Sequence, residues 1–143
     1  MPQTMEWYIP YRILRSHFWG RCTDEDTIEF TTGAVRFLTE AQIHAPGNLI
    51  YNVMDASEME SMPPIYLMLP RAIPTMGFKN RGPLYLVTRQ SNIRRIFELT
   101  AHIMAFNLRF YNTWDEAIQA AEAAVARDSS HTLVEPFKQD SRQ

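Results

Sequence analysis

The chain of 143 residues is 45% apolar and 21% charged, with 14 basic against 16 acidic side chains, a formal charge of −2 and one cysteine. That length supports one hydrophobic core without disulfides or metal. The apolar content excludes a disordered chain, and the balanced charge supplies no field for nucleic acid or anionic membrane.

Cys22 has no partner for a disulfide or a thiolate metal site, which fits a reducing, cytoplasmic setting. The N-terminal stretch interleaves Glu6, Arg12, Arg15 and His17 with apolar residues, unlike a secretory leader. No apolar run reaches the roughly 18 to 20 residues of a membrane span.

Residues 6–10 are rich in strand formers and end in Pro10, which predicts a short strand and a turn at Pro10 and Tyr11. Residues 12–20 alternate as a second strand, with Leu14, Ser16 and Phe18 on one face and Ile13, Arg15, His17 and Trp19 on the other. The two are expected to pair as a hairpin. Thr23 followed by Asp24, Glu25 and Asp26 is a helix entrance: the hydroxyl caps, and the carboxylates suit the positive end of the helix dipole. The helix runs to about His44 with an apolar stripe of Ile28, Ala34, Val35, Phe37, Leu38 and Ala41, until Pro46 and Gly47 break it.

Residues 49–54 are a compact apolar run, the pattern of a strand covered on both faces and the expected centre of the sheet. Residues 55–58 then read as a polar turn. Residues 62–74 predict a helix with Pro63 and Pro64 in its first turn and a kink or division at Pro70. Residues 84–88 are another buried strand, introduced by Arg81, Gly82 and Pro83. Ser91 and Asn92 are expected to cap a helix in which Ile93, Ile96, Phe97, Thr100, Ile103 and Met104 follow a helical spacing.

Residues 108–111 form a short last strand, and Thr113 with Glu116 has the spacing of a capping box. The helix that follows buries Ala117, Ile118, Ala121, Ala124 and Val125. Residues 129–143 turn polar and lose periodicity, as a mobile tail would, or as a segment docked through Leu133, Val134 and Phe137. The order ββαβαβαβα predicts an α/β domain over residues 1–128. It has a single mixed, largely parallel sheet of about five strands, with about four helices and right-handed crossovers.

No segment carries a catalytic or cofactor motif. The four histidines, His17, His44, His102 and His131, show no HxH or HxxxH spacing, so no shared metal site is expected. Cys22 precedes a helix start, where a thiolate is stabilised, but a buried inert thiol is the commoner case. Asp24, Glu25 and Asp26 are explained as caps, and neither glycine-rich phosphate motif occurs. Trp7, Tyr8, Tyr11, Phe18 and Trp19, interleaved with Arg12, Arg15 and Arg21, superficially suggest a base-stacking sheet. Alternation on a half-buried hairpin gives the same pattern. Met54, Met59, Met62, Met68 and Met76 fit core filling, with Met59 and Met62 at positions where exposure is plausible.

Topology supplies a better candidate site. In open α/β sheets ligands and partners meet the carboxyl ends of the strands. Here two such ends are polar: residues 55–57, with Asp55 and Ser57, and residues 88–92, with Arg89, Ser91 and Asn92. The second leads into a helix start with Arg94 and Arg95 close behind, suited to a small anion or a partner carboxylate. Solvated loops and caps would look the same.

Taken in order, the hairpin, the run Trp19-Gly20-x-x-Thr23-x-Glu25, the stretch at 50–57 and the ending at 110–117 make the chain resemble a STAS-like domain over roughly residues 5–126. That family includes bacterial anti-sigma-factor antagonists and many uncharacterised relatives. The resemblance implies a docking surface for a protein partner. In the family, an Asp-x-Ser stretch ends the third strand, and a serine at the start of the next helix is the phosphorylated switch. Asp55 and Ser57 match the first part; the switch position falls at Pro64 or Ile65, and Ser61 lies three residues early.

The function expected is therefore a non-catalytic regulatory module that binds a protein through residues 55–64 and the next helix, without the usual switch serine. Ser57 and Ser61 are the candidate phosphorylation sites. The alternative is a small-molecule or lipid carrier, with the apolar segment around Pro70 as one wall of a pocket. No cofactor, metal or nucleic acid is expected, and an exposed edge at the Pro10 strand leaves a homodimer open.

Overall fold

The computed structural model describes residues 3–141, with side chains as far as Asp128. A first strand, β1 (Gln3–Ile9), turns back into β2 (Ile13–Arg21), followed by α1 (Asp24–His44), β3 (Ile50–Ser61) and α2 (Ile65–Ala72). A 3-10 turn at Ile73–Thr75 leads to β4 (Arg81–Val87), α3 (Ser91–Met104), β5 (Leu108–Tyr111) and α4 (Trp114–Ser141). The strands lie side by side in chain order, β1 antiparallel to β2 and every later pair parallel. β3 is central, as its compact apolar run predicts.

Because each strand is laid down beside the last, right-handed crossovers put α1, α2 and α3 on one face. The last helix covers the other. Ile13, Tyr51, Val53, Tyr85 and Val87 pack against Ala117, Ile118, Ala121 and Ala124 of α4, whose small side chains let the helix lie close to the sheet. On the opposite face Phe18, Met54, Ala56 and Leu86 meet Ile93 and Phe97 of α3, while Leu14 and Ile50 meet Leu38 and Ala41 of α1. The two faces read from the alternation of β2 are thus the two faces of the core. The phenol of Tyr51 donates to the Asp128 carboxylate and fixes α4 to the central strand.

Asp26 does more at the start of α1 than complement the dipole. The Thr23 hydroxyl accepts from the Asp26 N–H at 3.3 Å and the Asp26 carboxylate accepts from the Thr23 N–H at 2.7 Å, a reciprocal capping box. Gly82 is required by a close approach: a Cβ there would lie 2.5 Å from the Ile50 carbonyl oxygen.

Several boundaries differ from the sequence expectation. Residues 55–58 are not a turn: β3 continues to Ser61 because the end of β2 pairs with it, Trp19 with Glu58, Gly20 with Met59 and Arg21 with Ser61. The polar signal at Asp55 and Ser57 marks a bulge, where the register against β2 slips between His17 and Trp19. Pro63 and Pro64 precede α2 rather than forming its first turn, with Pro64 as the N-cap. Ser91 and Asn92 do not cap α3, whose N-cap is Gln90.

α4 runs on to Ser141. The expected docking of Leu133, Val134 and Phe137 lies outside the described side chains.

Candidate functional site

The carboxyl ends of the parallel strands form one edge of the molecule, and the six candidate residues are spread along it. Asp55 accepts from the Ser57 N–H at 3.0 Å and from the Ser57 hydroxyl at 2.6 Å, a local turn of the Asx kind set into the β3 bulge. Val53 packs under α4 and Met54 on the other face, so alternation places Asp55 on the α4 face. Nearby, His17 meets Glu58 at 3.1 Å and its ring lies 5.1 Å from that of Trp19. Arg15 stacks over Trp114 at 4.7 Å.

Ser61 is the last residue of β3, its carbonyl accepting from the Cys22 N–H at 2.9 Å. It is exposed, but it does not sit at a helix entrance. Burial first, and Asp26 second, push the Cys22 thiol up to about 11, so this sulfur is a packed core group rather than a nucleophile.

Arg89, Ser91 and Asn92 are exposed, and α3 places the last two on the face opposite α4. The two polar strand ends do come together, through residues the sequence reading passed over. Asp55 is in register with Val87, and the Gln90 side-chain amide donates to the Met59 carbonyl, covering β3 where it outruns β4. Arg94 is not available for an anion. Its guanidinium donates to the Thr88 carbonyl from Nε at 2.9 Å and from Nη2 at 2.7 Å, and to Asn112 at 2.8 Å. The six candidates therefore ring an edge instead of lining one cleft. A buried threonine followed by an arginine six residues on was the only sequence trace of the Arg94 clasp.

Beside this edge, α2 lies against α1 and α3 with none of its own residues fully buried. Tyr66 is 70% exposed, Ile73 60% and Met76 46%. Arg71 and Asp24 join α2 to α1, and the Thr31 hydroxyl donates to the Arg71 carbonyl at 2.8 Å. Below α2 is a cavity of about 120 Å³ between the helices and the sheet, bounded by Leu14, Phe30, Met54, Met68, Phe97 and Phe106 among others.

No protein-family model and no curated protein matches the sequence. Solved structures do match. The chain is similar to the anti-sigma factor antagonist SpoIIAA in its unphosphorylated form, with a TM-score of 0.60 at 10% identity over 84% of this chain and 97% of the other. The fold is STAS-like. A second STAS-like match is an uncharacterised DUF3478-family protein with a SpoIIAA-like fold from Shewanella loihica PV-4. There the TM-score is 0.54 at 13% identity, over 83% and 91% of the two chains.

Pro64 is the N-cap of α2 and Ile65 its first residue, and no side chain caps that helix. No helix among the described residues is long and apolar enough to cross a membrane.

Proposed function

We propose that the protein is a regulatory, non-catalytic module that docks on a protein partner through the end of β3 and the exposed face of α2, without a phosphoserine switch at the α2 entrance. The observation that carries this reading is the outer surface of α2 and its 3-10 turn. Tyr66 and Ile73 leave 70% and 60% of their surface in solvent next to the strand edge, and an aromatic and a branched aliphatic side chain held out in this way are typical anchors of a protein interface. The likeness in fold to an anti-sigma factor antagonist supports the same reading. Pro64 and Ile65 offer no hydroxyl at the helix entrance, which supports regulation by binding alone. Ser57 and Ser61, in β3, are candidate modification sites away from any helix start. We place the protein in the cytoplasm on its single buried cysteine.

The test is a quantitative comparison of partners held by the wild-type chain, by the double variant Tyr66→Asp, Ile73→Asp, and by Ile103→Asp on α3 as a surface control. The expected result is a protein retained by the wild type and the control, lost by the double variant, and bound directly by purified wild type in calorimetry. Equal retention by all three chains overturns the assignment to α2. Intact-mass measurement of native protein tests the switch, with phosphate at Ser57 or Ser61 counting against regulation by binding alone.

A further inference from the structure

The cavity under α2 has the chemistry of a ligand site. Protein interiors leave few voids larger than a water molecule, and most of this lining is apolar. Its hydroxyl groups are already satisfied: Thr31 donates to the Arg71 carbonyl, Thr75 to that of Ala72 and Thr100 to that of Ile96, each at 2.8 Å. Arg81 is different. It is the one ionisable side chain of the lining, and its guanidinium stacks 4.6 Å over the Phe106 ring. Among the described residues that guanidinium has neither an ion pair nor a hydrogen bond. Burial lowers its pKa, and no carboxylate stands near enough to raise it. A partly desolvated cation without a counter-ion beside an apolar space is an incomplete arrangement, because a guanidinium held away from water gains most from a carboxylate that fills its fork.

We propose that this cavity binds a small amphiphilic carboxylate, its apolar body among Leu14, Met54, Met68 and Phe97 and its carboxylate on the Arg81 guanidinium. Size limits the body. An apolar cavity of about 150 Å³ takes up benzene, so about 120 Å³ suits an apolar body of about five carbons, with the carboxylate beyond it at the Arg81 guanidinium. Entry needs only a local motion, because no residue of α2 is fully buried and the helix contains Pro70. Uptake of this kind needs no protein partner, so it and the docking surface fail separately.

The experiment is a titration of the labelled full chain with hexanoate and, as the uncharged control, 1-hexanol, followed by amide and methyl chemical shifts. Hexanoate is expected to bind saturably, to show intermolecular NOEs to the methyls of Leu14, Met54 and Met68, and to bind about tenfold tighter than hexanol. Arg81→Gln is expected to bring the two ligands to equal affinity, and Ala72→Phe, which fills the space from α2, to abolish both. Should either variant fail to fold, the NOEs and the charge preference of the wild type still decide. Absence of saturable shifts at millimolar ligand, NOEs confined to other surfaces, or no preference for the carboxylate overturns the proposal.

Discussion

Arg71 on α2 grips Asp24 in the first turn of α1 through two parallel hydrogen bonds, Nε to Oδ1 at 2.9 Å and Nη2 to Oδ2 at 2.7 Å. This fork joins the helix that covers the cavity to the helix that follows the hairpin. Neither partner is deeply buried, and its importance lies in location: the apolar side chains of α2 are only half-buried.

The Asp24 carboxyl is held below its ordinary 3.8, chiefly by the hydrogen bond from Arg71, with the Arg71 charge adding to it against a raising effect of burial. A depressed folded-state pKa means that the tether stabilises fully above the ordinary value and is lost as pH falls through the folded one. Amide exchange in residues 67–72, corrected for intrinsic rates, should stay protected down to about pH 4 and quicken below it. Asp24→Asn should remove that acid-side change and speed exchange at neutral pH by about two- to fivefold.

Gly82→Ala tests the contact between the central strands. Its Cβ would stand 2.5 Å from the Ile50 carbonyl oxygen and 3.1 Å from Leu49, and neither backbone can retreat without opening the ladder. A loss on the order of 2 kcal/mol or more is expected in urea unfolding, from strain alone. Stability unchanged from wild type would show that the two strands are farther apart than described.

Arg94→Ala removes both donors from the Thr88 carbonyl as well as the link to Asn112. Thr88 is fully buried, so its carbonyl cannot turn to water for compensation. A cost of about 1 to 3 kcal/mol is expected, read by chemical denaturation. Arg95→Ala, one residue on and exposed, should differ from wild type by about 0.5 kcal/mol or less.

Cys22 should react slowly with a disulfide reagent. A thiol moved from 9.0 to about 11 has about a hundredfold less thiolate at neutral pH, and its 7% exposure restricts access further. Labelling should quicken by at least that factor when the chain is unfolded in urea. Equal rates in the two states would place the sulfur at the surface.

Local chemistry decided much of this molecule before any folding. The Thr23 cap, the break at Pro46 and Gly47, the two faces of β2 and the short strand at Leu108–Tyr111 follow from hydroxyls, ring constraints and periodicities that act within a few residues. Alternation of strands and helices then left few chain paths, and the mixed sheet follows from one tight turn and three helical crossovers, whose handedness sets the face the helices cover.

The candidate site was less legible for a definite reason. Asp55 and Ser57 form the same hydrogen bonds in a turn as in a bulge, and only the extended end of β2, pairing Trp19 with Glu58 and Arg21 with Ser61, turned that stretch into strand. Gln90 carried no signal, since its amide matters only because β3 outruns β4. Arg94 looked like a free cation until the buried Thr88 carbonyl was placed before it. The sequence by itself determined the order of helices and strands and which faces are apolar, because those depend on neighbours in the chain. The tertiary structure alone decided the bulge, the Arg94 clasp, the cavity and the unpaired charge of Arg81, because each depends on how distant segments meet.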